Sequence, residues 1–193
     1  MDNVARTYTL NHVPFWFLRH GETDWNAQGL SQGNVDIPLN PTGQAQARSA
    51  AERLRNRGIA TIVSSPLSRA RVTAAIVGAA LGLPVQIVDG LREVQFGMQE
   101  GQPMSDWFPD WIAGRFTPDG AESFAALRDR AVTAVNFATS LPPLVVVVAH
   151  GALFRALRTA MAIEPVLRTP NAVPIWCDPP AVEGDAWTLN YTA

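Results

Sequence analysis

The sequence predicts an α/β fold: a mostly parallel central sheet with helices on both faces and a short insertion over one end. Three observations predict it. Short β-branched or aromatic runs alternate with longer helical patterns, as βαβ units require. One run, Leu144–Ala149, is apolar throughout, as in a strand buried on both faces. Residues with chemical potential fall just past the strand ends, where open α/β sheets bind ligands.

In chain order, Pro14–Leu18 reads as the first buried strand and Pro41–Arg57 as a helix of good formers stopped by Gly58. Ala60–Val63 is a second strand. Ser65-Pro66 has the form of an N-cap with proline at the first helical position, opening a helix that Gly82 ends after Leu81. Pro84–Val88 is a third strand. Residues 97–120, rich in Pro, Gly and aromatics, read as an irregular insertion. Ala121–Thr139 is a long helix, Leu144–Ala149 the buried strand and Ala152–Ala162 a further helix. Val173–Cys177 and Trp187–Tyr191 complete the sheet. With 193 residues and no repeat or interior linker, 1–193 is expected to be a single domain.

Composition narrows the function. Hydrophobic residues make up 47% and charged residues 17%, which argues against long disorder. A net charge of −2 gives no bulk attraction to nucleic acid or anionic membranes. All 15 basic residues are arginine, so any phosphate-binding cation must be Arg or His. Cys177 is the single cysteine, which excludes an internal disulfide and a thiolate metal cluster, and no arginine follows it to form the anion loop of a thiol phosphatase. The start, Met1-Asp2-Asn3, lacks a basic signal region and no apolar run is long enough to span a bilayer, so the expected location is the cytoplasm.

Four elements are expected to deliver the chemistry to one edge. Arg19 and His20 follow the first strand, Arg69 opens the helix after the second, Glu93 follows the third, and His150 ends the buried strand ahead of Gly151. Phosphoryl transfer spreads negative charge over equatorial oxygens, so positioning and cationic stabilisation dominate. Arg19 and Arg69 suit those oxygens. The helix starting at Gly151 is expected to aim free N–H groups at the same anion. A neutral His20 is a nucleophile, held in one tautomer by a backbone carbonyl near Gly21, while Gly21 itself lets the chain pass close to phosphate. Glu93 can protonate the leaving alkoxide if burial keeps it protonated. His12, in a polar stretch, reads as a surface residue.

The run Leu18-Arg19-His20-Gly21-Glu22-Thr23-Asp24-Trp25-Asn26 resembles the signature of the histidine phosphatase superfamily, which includes the phosphoglycerate mutases. Gln32-Gly33 through Leu39, Thr42-Gly43, Ser64–Ala70, Leu91-Arg92-Glu93, Glu100-Gly101, Ala149-His150-Gly151 and Asn171 continue the resemblance. It implies a phosphoglycerate mutase-like fold and a metal-independent reaction without a cofactor. His20 would be phosphorylated and Glu93 would be the acid and base. Arg19, Arg69 and His150 would hold phosphate, with Asn26 and Gln32 assisting beside Gly33 and Gly151. The implied partner is a small-molecule phosphate monoester; oligomeric state is not legible.

Three departures favour a phosphatase over a mutase. Leu30 stands where many relatives carry arginine, Gln99 replaces an aromatic, and Val94-Gln95 follow Glu93 where mutases carry arginine. Mutases also have a longer insertion and tail. The expectation is therefore a pocket without the extra cations that retain a mutase's intermediate. Trp107, Phe108, Trp111 and Phe116 in the insertion are expected to pack it onto the sheet; the sharper alternative is that some line a leaving-group pocket. Other functional classes are a non-catalytic phosphate-ligand binder, which would have lost a key residue, and a metal site, for which the three histidines lack suitable spacing.

Overall fold

A computed structural model describes residues 9–182 and 184–192; the Met1-Asp2-Asn3 start lies outside them. The elements are β1 (Phe15–Arg19), α1 (Asp24–Gln28), α2 (Pro41–Leu54), β2 (Thr61–Ser64), α3 (Ser68–Leu81), β3 (Val85–Ile87), α4 (Trp107–Ile112), α5 (Phe124–Thr139), β4 (Val145–Ala149), α6 (Gly151–Ala160), β5 (Pro174–Asp178) and β6 (Thr188–Tyr191). The six strands form one sheet in the order β3-β2-β4-β1-β5-β6. β3, β2, β4 and β1 are parallel, whereas β5 and β6 join by antiparallel pairing.

Period-two alternation explains the three layers. Phe15, Phe17, Val145, Val147 and Ala149 face the side packed by α5 and α6. Trp16, Leu18, Val146 and Val148 face the side packed by α2 and α3. β1 and β4 are therefore apolar on both faces, and every residue of both is buried. The reversal at β5 follows from the path after α6. The chain returns to the carboxyl end of the sheet, where the Ala172 N–H donates to the Arg19 carbonyl at 2.9 Å. β5 then runs back down, pairing Pro174 with Leu18.

Several element boundaries differ from the sequence reading. Ser65 does not cap α3; that helix starts at Ser68 behind Leu67, and the Ser65 hydroxyl turns instead to His150. α5 starts at Phe124, where Ser123 accepts from the Ala126 N–H. α2 stops at Leu54, before Gly58. The insertion is not wholly irregular, because α4 forms within it. α1 is short and was not anticipated; a reciprocal capping box between Thr23 and Asn26 builds it. Among the described residues, no helix is long and apolar enough to cross a membrane.

Gly21 and Gly43 have a packing role. A Cβ on Gly21 would lie 2.3 Å from the Gly43 carbonyl oxygen, and one on Gly43 would lie 2.1 Å from that of Glu22. The first turn of α2 thus lies directly against the loop after β1, which explains Thr42-Gly43 and revises the phosphate-approach reading of Gly21. Helix propensity alone would favour Gly43→Ala by about 1 kcal/mol. The backbone contact has no flexible side chain to yield, so overpacking dominates. Gly43→Ala is expected to cost about 1–3 kcal/mol. Thermal denaturation should read this as a Tm lowered by roughly 2–4 °C per kcal/mol; an unchanged or raised Tm would remove this role.

Candidate active site

β1 and β4 are neighbours, with Arg19 in register with Ala149, so His20 and His150 leave the sheet side by side. Their ring centroids are 5.3 Å apart. His20 Nδ1 lies 2.7 Å from the Gly21 carbonyl oxygen, which can only accept; Nδ1 therefore carries the proton and Nε2 keeps its lone pair. Asn171 Nδ2 donates to the His20 carbonyl, fixing its backbone. His150 Nε2 is 2.7 Å from Ser65 Oγ, and its Nδ1 is buried without a protein partner. Burial, reinforced by Arg69 and Arg19, pushes both imidazoles well below 6.5.

The two predicted arginines are buried and fastened by carbonyls. Arg69 donates to Gly33 and Val35, at 2.7 and 2.8 Å, and Arg19 donates to Thr169 at 2.6 Å. The Nε of each is buried without a partner. Burial lowers each guanidinium to about 10, against the favourable charge of Glu93. Gly151 lets Arg19 lie against the start of α6, since a Cβ there would meet Arg19 Nε at 3.3 Å.

Glu93 changes the expected use of α6. Its Oε2 accepts from Ala152 N–H and its Oε1 from Leu153 N–H, both at 2.9 Å; Oε1 also accepts from Val94 N–H at 3.0 Å. Two of the first-turn donors predicted to face phosphate, the Ala152 and Leu153 N–H groups, are thus taken by a carboxylate of the protein. Asn26 and Gln32 reach the same cavity. Asn26 Oδ1 accepts from Thr23 N–H, Gln32 Oε1 accepts from the Thr23 hydroxyl, and neither amide nitrogen has a partner among the described residues. Gly33 has φ +52° and lies against Glu100, whose Oε1 accepts from the Asn34 and Phe96 N–H groups. Glu100 thereby joins the Gln32 loop to the loop carrying Glu93.

Arg19, His20, Asn26, Gln32, Gly33, Arg69, Glu93 and Gly151 line one cavity of about 540 Å³, with His150 buried behind it. Sequence reasoning missed Arg155, on α6, and Arg168, in the loop before β5; both line this cavity. Their presence overturns the expectation of a pocket without further cations. The separation from Gly151 to Arg155 was the available signal, because residues four apart on a helix lie on the same face. The insertion aromatics divide in role. Trp111 is fully buried and donates to the Glu122 carbonyl, and Trp107 packs beside it. Phe108 lines the cavity, whereas Phe116 is exposed. Cys177 is buried within β5, and His12 is an exposed residue edge-on to Trp187. Among the described residues, no three His, Cys, Asp or Glu side chains group as a metal site.

Residues 15–171 match the model of the histidine phosphatase superfamily (branch 1). The chain belongs to that superfamily. It is 39% identical over 150 residues to the uncharacterized phosphatase PhoE of Bacillus subtilis, covering 75% of each chain. It is 37% identical over 165 residues to the probable phosphoglycerate mutase GpmB of Yersinia enterocolitica, covering 78% of this chain and 75% of that one. Among solved structures, the mycobacterial glucosyl-3-phosphoglycerate phosphatase complexed with VO3 superposes with a TM-score of 0.77 at 31% identity, covering 93% of this chain and 98% of the other. The sheet and flanking helices are thus of the phosphoglycerate mutase-like kind.

For this superfamily member, the buried histidines impose an acid sensitivity. His20 and His150 remain neutral well below 6.5 in the fold, whereas the unfolded chain protonates them near that value. The unfolded state therefore binds more protons as pH falls through that range, and stability drops. Each histidine contributes a slope of about 1.4 kcal/mol per pH unit between the unfolded value and its own lowered one. Tm measured without phosphate is expected to fall from about pH 6.5 to about pH 5. The fall should be shallower in His150→Gln; the same slope in that variant would rule out His150 as a source.

Proposed function

We propose that this protein hydrolyses a small-molecule phosphate monoester through a phosphohistidine at His20, acting as one domain with residues 97–120 as a lid over the site. One observation carries the reading. Among the described residues, three buried nitrogens from different elements, Arg19 Nε, Arg69 Nε and His150 Nδ1, lack protein partners around a histidine whose Nε2 lone pair is held free. Buried polar groups ordinarily find partners, and His150 Nδ1 is a donor in the tautomer whose Nε2 accepts from the Ser65 hydroxyl. Phosphoryl oxygens supply them, and the same contacts stabilise the charge that develops in transfer.

In the first step His20 Nε2 forms the N–P bond as the P–O bond to the leaving group breaks, and Glu93 protonates the departing oxygen. In the second, water attacks phosphorus, Glu93 takes its proton, and the N–P bond breaks to release phosphate. Oε1 of Glu93 already accepts two backbone N–H groups and Oε2 only one, so Oε2 is the oxygen with a lone pair left to carry the proton. Asn26 and Gln32 offer their free amide NH2 groups to the transferring oxygens. The phosphatase-named relatives support release to water.

A mutase-type transfer is the second reading. The Arg155 and Arg168 charges in the cavity and the likeness to GpmB favour it. Incubation with 3-phosphoglycerate and catalytic 2,3-bisphosphoglycerate separates the two: phosphate release without 2-phosphoglycerate is expected.

His20→Ala is expected to lower turnover by at least about 10³-fold, and a rapid acid-avoiding quench of wild type should trap labelled phosphate on His20. Glu93→Ala is expected to lose more activity on alkyl esters than on p-nitrophenyl phosphate, whose leaving group needs no proton. Equal losses on both would argue against Glu93 as the acid.

A further inference from the structure

The cavity holds more positive charge than one phosphate monoester can use. Arg19, Arg69, Arg155 and Arg168 line it against the single carboxylate of Glu93. Among the described residues, none of the four arginines has a carboxylate within ion-pair distance. A monoester brings a charge of about −1.5 to −2 at neutral pH. Asp36 and Glu100 act on Arg69 but on neither Arg19 nor Arg155. Arg155 and Arg168 are left on the side of the cavity formed by α6 and the loop before β5.

These two arginines are also held in place. Arg155 Nη1 donates to the carbonyls of Pro165, at 3.1 Å, and Val166, and its guanidinium lies over the Phe108 ring, 5.2 Å from the centroid. Among the described residues its Nε and Nη2 have no partner, and they are not buried, so three N–H groups remain for a ligand. Arg158 is fully buried and donates to the Leu167 carbonyl, and Arg19 donates to that of Thr169. Residues 165–169 are thus pinned by three guanidiniums on either side of Arg168. Its exposed side chain reaches the cavity mouth from a fastened backbone. Mutual repulsion adds to the case: Arg168 and Arg155 lower the guanidinium of Arg19, and Arg168 lowers that of Arg155. An anion between them relieves it.

We propose that Arg155 and Arg168 form a second anion subsite, so that the preferred substrate carries a carboxylate or second phosphate on its leaving group. The arginine fork takes either group through paired N–H donors. Phe108 and Met104 line the same cavity, and their apolar surface suits a short carbon skeleton between the two anions. The subsite takes its scissile-phosphate position from the reaction proposed above.

Two matched pairs test it: 3-phosphoglycerate against glycerol 3-phosphate, and fructose 1,6-bisphosphate against fructose 6-phosphate. The first arm reads a carboxylate and the second a phosphate. Wild type is expected to favour the doubly anionic member of at least one pair by about tenfold or more in kcat/KM. Arg168→Gln should lose about tenfold more on that member than on its partner, and Arg155→Lys, which keeps charge but loses the fork, should lose selectivity to a smaller extent. Calorimetric Kd values for the same pairs on His20→Ala provide a readout without turnover. If no ester is hydrolysed yet the doubly anionic ligands bind more tightly, the catalytic reading fails and the subsite stands. Equal binding and equal kcat/KM within both pairs, or equal losses in Arg168→Gln, overturns the subsite while leaving the phosphatase reading intact.

Discussion

The active end of this molecule depends on arginines that are held by neutral acceptors. Arg69 is fastened to the Gly33 and Val35 carbonyls, Arg19 to that of Thr169, Arg155 to Pro165 and Val166, and Arg158 to Leu167. A carbonyl fixes a guanidinium without cancelling its charge. A carboxylate in the same place would cancel much of the field that an anionic ligand needs. The surface arginines follow the opposite rule: Arg55, Arg92, Arg115 and Arg128 pair with nearby carboxylates. Burying cations in this way costs stability, as the lowering of Arg19 and Arg69 to about 10 records.

Glu93 is the counterweight. Among the described residues it is the one acidic group lining the cavity, and its charge favours the cationic forms of Arg19, Arg69 and Arg155. Its carboxylate is locked to the first turn of α6 by the Ala152 and Leu153 N–H groups. The same helix start follows His150 directly and leaves room for Arg19 at Gly151. One junction therefore orients Glu93, His150 and Arg19 together. A shift of α6 would move all three, which gives the tight packing of Phe154 on Phe17, with ring centroids 3.9 Å apart, a consequence for chemistry as well as for stability.

Several motif residues owe their place to close packing. Gly21 and Gly43 permit a backbone-to-backbone approach, and Gly101, with φ +79°, lies under Trp25. Glu100 ties the Gln32 loop to the Glu93 loop through two backbone donors. These residues make the signature long, because loops arriving from β1, α1 and β3 must meet at fixed distances for the cavity to exist. A short Arg-His-Gly string would state the chemistry without stating that geometry.

The sequence by itself determined the layered α/β fold, since alternation along Phe15–Arg19 and Val145–Ala149 leaves both faces apolar, and it determined which residues follow each strand. The strand-end rule then put Arg19, His20, Arg69, Glu93 and His150 at one edge. Only the tertiary structure decided the rest. Ser65 reads as a helix cap in one dimension and becomes a partner of His150 because β2 lies beside β4. Two of the free N–H groups of α6 went to Glu93, a residue 59 positions away from Ala152. Arg168 carried no local motif; it entered the cavity that Arg155 lines from α6 because the chain doubles back between α6 and β5. Local pattern reports what each segment prefers to bury. Which distant groups share a cavity depends on strand order and loop path, and those are settled only when the layers pack.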